Sequence, residues 1–384
     1  VMIAIINGNV LTVEGNFLKN GTILIDQGKI IAVGLAREIS VPDHVKRIDA
    51  QGGWITPGLI DVHTHIGIDE EGIGWEGDDY NESSEPVTPH MRAIDGINPF
   101  DQGFIDAAKA GVTTVQVLPG SANVIGGLMC CLKVKPGKIV EEMVIRNPSG
   151  LKIAFGENPK KLHGKHARAP QTRMGIVALL REHFVEAQNY MKKIKNNNID
   201  RNLRLEALVL ALKKEIPVRA HVHRADDIMT AIRIAKEFDL DLTIEHATEG
   251  HKVAEHIAQS QLRAAIGPTL SSRSKVELRN KDWKTYSVFA EYDIPFSIIT
   301  DHPVLPIQHL ITSAALAVQA GLAEDKAWKA LTLNAAQHIG LSHRIGSIET
   351  GKDADIVIWS KHPLKSFANV NMTMVDGHII YQSS

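Results

Sequence analysis

The clearest chemistry in this chain lies in Pro57-Gly58-Leu59-Ile60-Asp61-Val62-His63-Thr64-His65. Residues two apart on an extended strand share a face. His63 and His65 can therefore point the same way and chelate one metal ion, and imidazole nitrogen suits Zn²⁺ and similar ions. A bare His-X-His is a weak sign. One at the end of an apolar run entered through Pro-Gly is much stronger. Three later apolar runs also finish on metal-competent or titratable groups: IPVRAHVHRADD with His221 and His223, LDLTIEHATEG with Glu245 and His246, and IPFSIITDHP with Asp301 and His302. A single such histidine usually serves the core or the surface. Independent structural histidines have no reason to recur at the ends of successive strands, where one site would gather them.

The elements that must hold these groups follow from periodicity. Short apolar runs at WITPGLIDVH, VTTVQVLP, LKIAFGE, IPVRAHVH, LDLTIEHA, LRAAIGPT and IPFSIITD alternate with amphipathic segments at 173–195, 202–214, 226–238, 250–260 and 307–320. That alternation predicts βα units and a parallel sheet. Seven strands are convincing; a barrel of about eight fits, and GGLMCCLKVK, within 124–147, is the expected third. Residues 1–50 and the C-terminal stretch read instead as short strands broken by Asn-Gly, Gln-Gly, Gly-Gly and Asp-Gly turns.

Composition narrows the function classes. Lys+Arg 42 against Asp+Glu 44 gives a net charge of -2 over 384 residues, which removes the main electrostatic reason to expect nucleic acid or an anionic membrane as partner. Cys130 and Cys131, adjacent, cannot build a disulfide framework, so a reducing, cytoplasmic compartment is expected. No apolar run reaches the length of a membrane span, and the first residues carry no basic leader pattern. A small-molecule substrate is the expected partner, and a homodimer the expected assembly. Two loops are unusual in charge: 69–85 is acidic, and 158–173 is basic with His163 and His166. Both follow the C-terminal ends of expected strands, the end of a βα barrel that carries the active site; charge runs are more often just solvated.

With these residues in place, the chain resembles the metal-dependent amidohydrolase superfamily, and within it the imidazolonepropionase-like branch. PGLIDVHTH resembles the family's first-strand motif, His221 and His246 match its fifth- and sixth-strand ligands, and ITDHP matches its eighth-strand Asp. GSIETGKDADIVIW resembles the stretch that returns to a small β-domain. The resemblance implies an α/β fold: a (β/α)8 TIM barrel over 56–344, with a β-sandwich domain formed from 1–55 and 345–384. It implies one or two divalent ions, Zn²⁺ by default with Mn²⁺, Fe²⁺ and Co²⁺ open. The ligands expected are His63, His65, Glu157, His221 and His246. Alternation puts His221 and His223 on one face; similarity assigns His221 to the metal and His223 to substrate contact. For the fourth strand LKIAFGENP offers Lys152, which would have to carry CO₂, and Glu157; they are five apart and so face opposite sides of a regular strand. Glu157, beside Gly156, is preferred. Asp301 is the expected general base: a metal lowers the pKa of its water from 15.7 to about 7, and a neighbouring carboxylate takes the proton and passes it to the leaving nitrogen.

Arg224 and His302 are further substrate-binding candidates, Arg224 through a bidentate grip on a carboxylate or, alternatively, in an ion pair with Asp226 or Asp227. Arg173 and His166 are alternatives for the same task, and Trp75 and Tyr80 for a lid. The loop Gly120-Ser121-Ala122-Asn123 with Gly126-Gly127 is not a nucleotide cradle; it is either a substrate contact or an ordinary loop. Three readings result: hydrolysis of a C–N bond in an amide, cyclic amide or N-acyl or dipeptide-like compound; deamination of a ring amidine; or a barrel without catalysis, used for binding. The presence of every expected ligand disfavours the last.

Overall fold

The computed structural model describes residues 2–196, 199–365 and 367–384. One sheet of eight strands runs β1 (Leu59–Thr64), β2 (Val112–Val117), β3 (Ile125–Lys133), β4 (Val144–Ala154), β5 (Val218–Val222), β6 (Leu242–His246), β7 (Arg263–Ile266) and β8 (Phe296–Ile298), each bonded to the next. It nearly closes into a barrel. After β8, Thr64 and His302 form a parallel bridge, and His65 N donates to His302 O at 2.8 Å. Strands such as β1 and β2 are buried at every position, as sheets covered on both faces require.

The sequence leads one to expect a wholly parallel barrel, and the structure corrects this. β3 is antiparallel to both β2 and β4. Its linker to β2, residues 118–124, is shorter than the roughly dozen residues a parallel crossover needs. The five expected amphipathic segments form the helices Arg173–Ile194, Leu203–Leu212, Ala225–Phe238, Ala254–Gln259 and Leu310–Gln319. Short 3-10 turns, Gly250–Lys252 and Ile307–His309, precede the last two. Thr172 and Asn202 cap the first two by accepting from the amides of Gly175 and Leu205. Phe184 and Phe238 meet at 5.3 Å between ring centroids and join two of these helices. Below the site, Ile60, Val62, Ala265 and Ile299 pack against Ala335, Ala336 and Ile339 and plug the barrel floor.

A second sheet takes Ile3–Val10, Leu18–Asp26, Lys29–Leu35, Lys46–Asp49 and Trp54–Pro57 from one part of the chain. It takes Ile356–Trp359, Val370–Val375 and His378–Gln382 from the other. Trp54–Pro57, directly before β1, pairs antiparallel with Ile356–Trp359. Lys133, at the end of β3, ties the two sheets together. Its fully buried ammonium donates to Asp353, Asp355 and Asp376 at 2.9, 2.5 and 2.9 Å. Lys29 and Arg344 also pair Asp353, and Lys135 pairs Asp376. Burial opposes ionisation of Asp353, but these cations outweigh it and hold the carboxyl down at about 2. No helix among the described residues is long and apolar enough to cross a membrane.

Candidate metal centre

The ends of β1, β5 and β6 and the turn after β8 bring His63, His65, His221, His223, His246 and Asp301 together. His63 and His65 share a face because β1 stays extended to Thr64. His246 and Asp301 arrive differently. Both have left-handed backbones, φ 71 and 54, a conformation that costs energy in non-glycine residues and clusters at functional sites. In β6 this turn lets Glu245 and His246, neighbours that a regular strand would send to opposite faces, both approach His63.

Two groups of donor atoms lie within 4.8 Å of one another: His63, His246 and Asp301, and His221, His223 and His246. His246 belongs to both. Asp301 Oδ1 sits 3.2 Å from His63 Nε2 and 3.0 Å from His65 Nε2. Both ring nitrogens of His221, Nε2 of His246 and Oδ1 of Asp301 are buried with no hydrogen bond. Buried polar atoms are rarely left this way. Lone pairs aimed at one space, from imidazoles and a carboxylate, fit a divalent ion. Burial depresses the basicity of His246 to about 3 and that of His221 well below its ordinary value, so both rings are neutral, the state that ligates.

The rings are oriented from behind. His65 Nδ1 donates to Leu118 O at 2.7 Å and His246 Nδ1 to Gly267 O at 2.8 Å. His223 is engaged at both nitrogens, by Thr248 Oγ1 at 2.7 Å and by Lys275 Nζ at 3.4 Å. Tyr80 lies over His65 with ring centroids 4.9 Å apart. The donors open into a cavity of about 350 Å³, whose walls include Asp69, Tyr80, Ser121, Asn158, Ser271, Ser274 and Lys275. Most of the lining residues are polar, and Ile266, Pro268, Leu270, Leu278 and Val304 add apolar surface.

Three expected residues are not brought here. Glu157 is the first residue of the helix Glu157–Lys165, and Gly156 before it, at φ 84, turns the chain away from the strand direction. Its carboxylate accepts from the Glu277 amide at 3.3 Å instead. A side chain at Gly156 would lie 2.6 Å from Glu277 Oε2, so the glycine serves this close packing. Lys152, the other fourth-strand candidate, does reach the cluster: fully buried, its Nζ lies 3.5 Å from His63 Nε2. Burial brings its pKa down to about 8. Arg224 pairs with Asp226 at 2.7 Å on the surface, because the two sit at the start of the helix Ala225–Phe238. His302 faces away; its Nδ1 accepts from the Ile307 amide at 3.0 Å and its Nε2 lies 3.8 Å from Glu71. Of the weaker candidates, Arg173 is held by Asp227 at 2.9 Å, Trp75 is 87% exposed, and Tyr80 and Ser121 line the cavity.

Sequence reasoning missed Lys275, Glu277 and Asn158. Lys275 Nζ contacts Glu277 Oε1 at 3.0 Å, Asn158 Oδ1 at 3.2 Å and His223. A charged pair behind a run of serines after β7 was the available signal. Asp61 was quoted only as part of a motif; its Oδ2 accepts from Thr300 Oγ1 at 2.6 Å, and this joins β1 to the turn that carries Asp301.

Comparison with known proteins agrees with this geometry. The amidohydrolase family pattern matches residues 54–380. The chain is 29% identical to Amidohydrolase tasK of Hapsidospora irregularis over 93% of its own length, while spanning 39% of that longer protein. It is 24% identical to the imidazolonepropionase of Erwinia tasmaniensis, covering 89% of this chain and 87% of that one. The crystal structure of an amidohydrolase from Thermotoga maritima MSB8 superposes with a TM-score of 0.96 at 39% identity, over 99% of this chain and 100% of the other. Metal binding is typical of the family, and the histidine–aspartate cluster supplies a place for it. The chain belongs to the amidohydrolase family and is a hydrolase acting on carbon–nitrogen bonds.

Proposed function

We propose that the chain hydrolyses an amide, cyclic amide or N-acyl or dipeptide-like bond in a small polar molecule, at a centre that holds Zn²⁺ as one or two ions. The observation that carries this is the set of buried, unpaired lone pairs of His221, His246 and Asp301 facing one cavity. His63, His65, His246 and His221 are the proposed protein ligands. His221 is preferred over His223 because both of its ring nitrogens lack hydrogen bonds, whereas those of His223 are occupied. Lys152, with its amine at His63, is the fourth-strand group that fits the cluster.

When bound, the ion lowers the pKa of water from 15.7 to about 7 and polarises the carbonyl. Asp301 then acts as the general base. Its carboxylate takes a proton from the attacking water as the water oxygen adds to the carbonyl carbon; the C–N bond breaks, and Asp301 passes that proton to the leaving nitrogen. His65 Nδ1, donating to Leu118 O, turns the opposite ring nitrogen toward the space that Asp301 Oδ1 faces. Tyr80, tilted against His65, lines one side of the cavity. The hydroxyls and amide of Ser121, Asn158, Ser271 and Ser274 offer hydrogen bonds to a polar substrate. We propose further that residues 1–55 and 345–384 form one β-domain beside a barrel of 56–344; the second sheet, drawn from both stretches, supports this.

A screen of N-acyl amino acids, dipeptides and cyclic amides, read by amine and by ammonia release, tests the assignment. Amine release dependent on added Zn²⁺ supports it. Turnover confined to ring amidines, with ammonia as product, replaces amide hydrolysis by deamination.

A further inference from the structure

Beneath the donor cluster lies a buried carboxylate, Glu245, whose ion-pair partners among the described residues are histidines. Glu245 Oε1 faces His63 Nδ1 at 3.4 Å and His338 Nε2 at 3.4 Å; its Oε2 is 3.2 Å from the same His338 nitrogen. Glu245 and His63 are fully buried and His338 is 4% exposed. His338 ends the helix Leu333–His338 on the barrel floor. Its carbonyl accepts from the buried Arg219 guanidinium at 2.9 Å, which fixes that helix end against β5. The chain thus spends a buried glutamate, a buried histidine and a buried arginine below one imidazole.

The chemistry of the contacts sets the polarity of His63. An ionised carboxylate only accepts, so the nitrogen facing it carries the hydrogen. In a neutral ring the other nitrogen then has the lone pair. That other nitrogen, Nε2, is the one beside Asp301 and Lys152. His65 and His246 show the same arrangement, each with Nδ1 against a backbone carbonyl. His63 alone among the three has a side-chain acceptor, and a carboxylate can swing away unless something holds it. His338 supplies that hold from the opposite side.

We propose that Glu245, braced by His338, is a positioning residue that fixes His63 with Nδ1 protonated and Nε2 unprotonated, so that His63 is preorganised to ligate a divalent cation. This rests on the reading of the cluster as a metal centre. Removing such outer partners typically weakens metal affinity about 10–100-fold.

The test uses the metal-stripped full chain and measures its Zn²⁺ affinity by competition with a chromophoric chelator, with Co²⁺ absorption as a second readout. Glu245→Leu is expected to weaken Zn²⁺ binding about 10–100-fold and to change the Co²⁺ ligand-field bands. His338→Leu should weaken binding in the same direction, while His338→Gln, which keeps a donor toward Glu245, should restore most of it. If Glu245→Leu does not fold, the His338 pair decides the matter. Wild-type protein that binds Zn²⁺ with the same affinity as folded Glu245→Leu, or equal affinities for His338→Leu and His338→Gln, overturns the proposal and leaves the metal centre standing. Wild-type protein that binds no Zn²⁺ overturns the metal centre itself and this proposal with it.

Discussion

Replacing Lys133 by methionine removes the one ammonium that three carboxylates share at the junction of the two sheets. The loss is unequal among them. Asp353 keeps Lys29 and Arg344, and Asp376 keeps Lys135 at 2.8 Å. Asp355, buried, keeps among the described residues only the Asp376 amide at 2.9 Å. The substitution therefore leaves about one uncompensated buried charge, a defect that costs about 3–5 kcal/mol. Unfolding entropy near 2.1 cal/mol/K per residue gives about 0.8 kcal/mol/K for a chain of this length, so the melting temperature should fall by about 4–6 °C. The pH dependence has a definite sign. Burial already raises the Asp355 pKa with Lys133 present, and losing Lys133 raises it further. A carboxyl whose folded pKa exceeds its unfolded value destabilises most at high pH, and the penalty shrinks as it protonates. Thermal unfolding of both proteins by calorimetry should thus show the gap narrowing from pH 7 toward pH 5. Adding Asp355→Asn to Lys133→Met should recover part of the loss at pH 7. A gap under about 1 °C at pH 7, or one that widens in acid, would refute the reasoning.

Other expectations are as direct. Asp301→Asn should lower kcat about 10²–10⁴-fold on any amide the enzyme accepts; a rate unchanged in steady-state assays removes Asp301 as base. Lys152→Met should abolish most turnover, whereas Glu157→Gln should leave kcat within about threefold, a change typical of a site away from the reacting atoms; the reverse order would return the fourth-strand role to Glu157. Asp353 is held down to about 2 from an ordinary 3.8, so its stabilising contribution is complete above about pH 5 and is lost as pH falls through 2. Acid titration followed by circular dichroism should show Lys29→Met, which weakens that hold, unfolding at a higher pH than the parent.

The strand-end histidines were legible because a strand has period two and a barrel gathers its strand ends, whereas the choice of His221 over His223 came from the family resemblance, and the left-handed turn that brings in His246 left no mark in the alternation. Direction was not legible in the same way. The continuous buried run that forms β3 is the same for either orientation, and only the short link 118–124 distinguishes them. Glu157 sits away from the cluster because the strand does not continue through Gly156, where a backbone at φ 84 bends out of it. Lys152 ranked below Glu157 on sequence, yet its long side chain reaches His63 from within the buried strand. Arg224 shows a local preference winning: an acid two residues on, at a helix start, captures the guanidinium before any substrate can. Lys275 and Glu277 lie on a loop after β7, and loop conformation is the part of a barrel that periodicity leaves undefined.

Bound metal per chain, measured by plasma mass spectrometry on protein purified without added metal or chelator, tests the central claim most directly. His246 belongs to both donor groups, so wild type should carry at least one divalent ion per chain and His246→Ala, while still folded, should lose most of it. Active wild-type protein without divalent metal, or His246→Ala that retains the full wild-type content, would contradict the account.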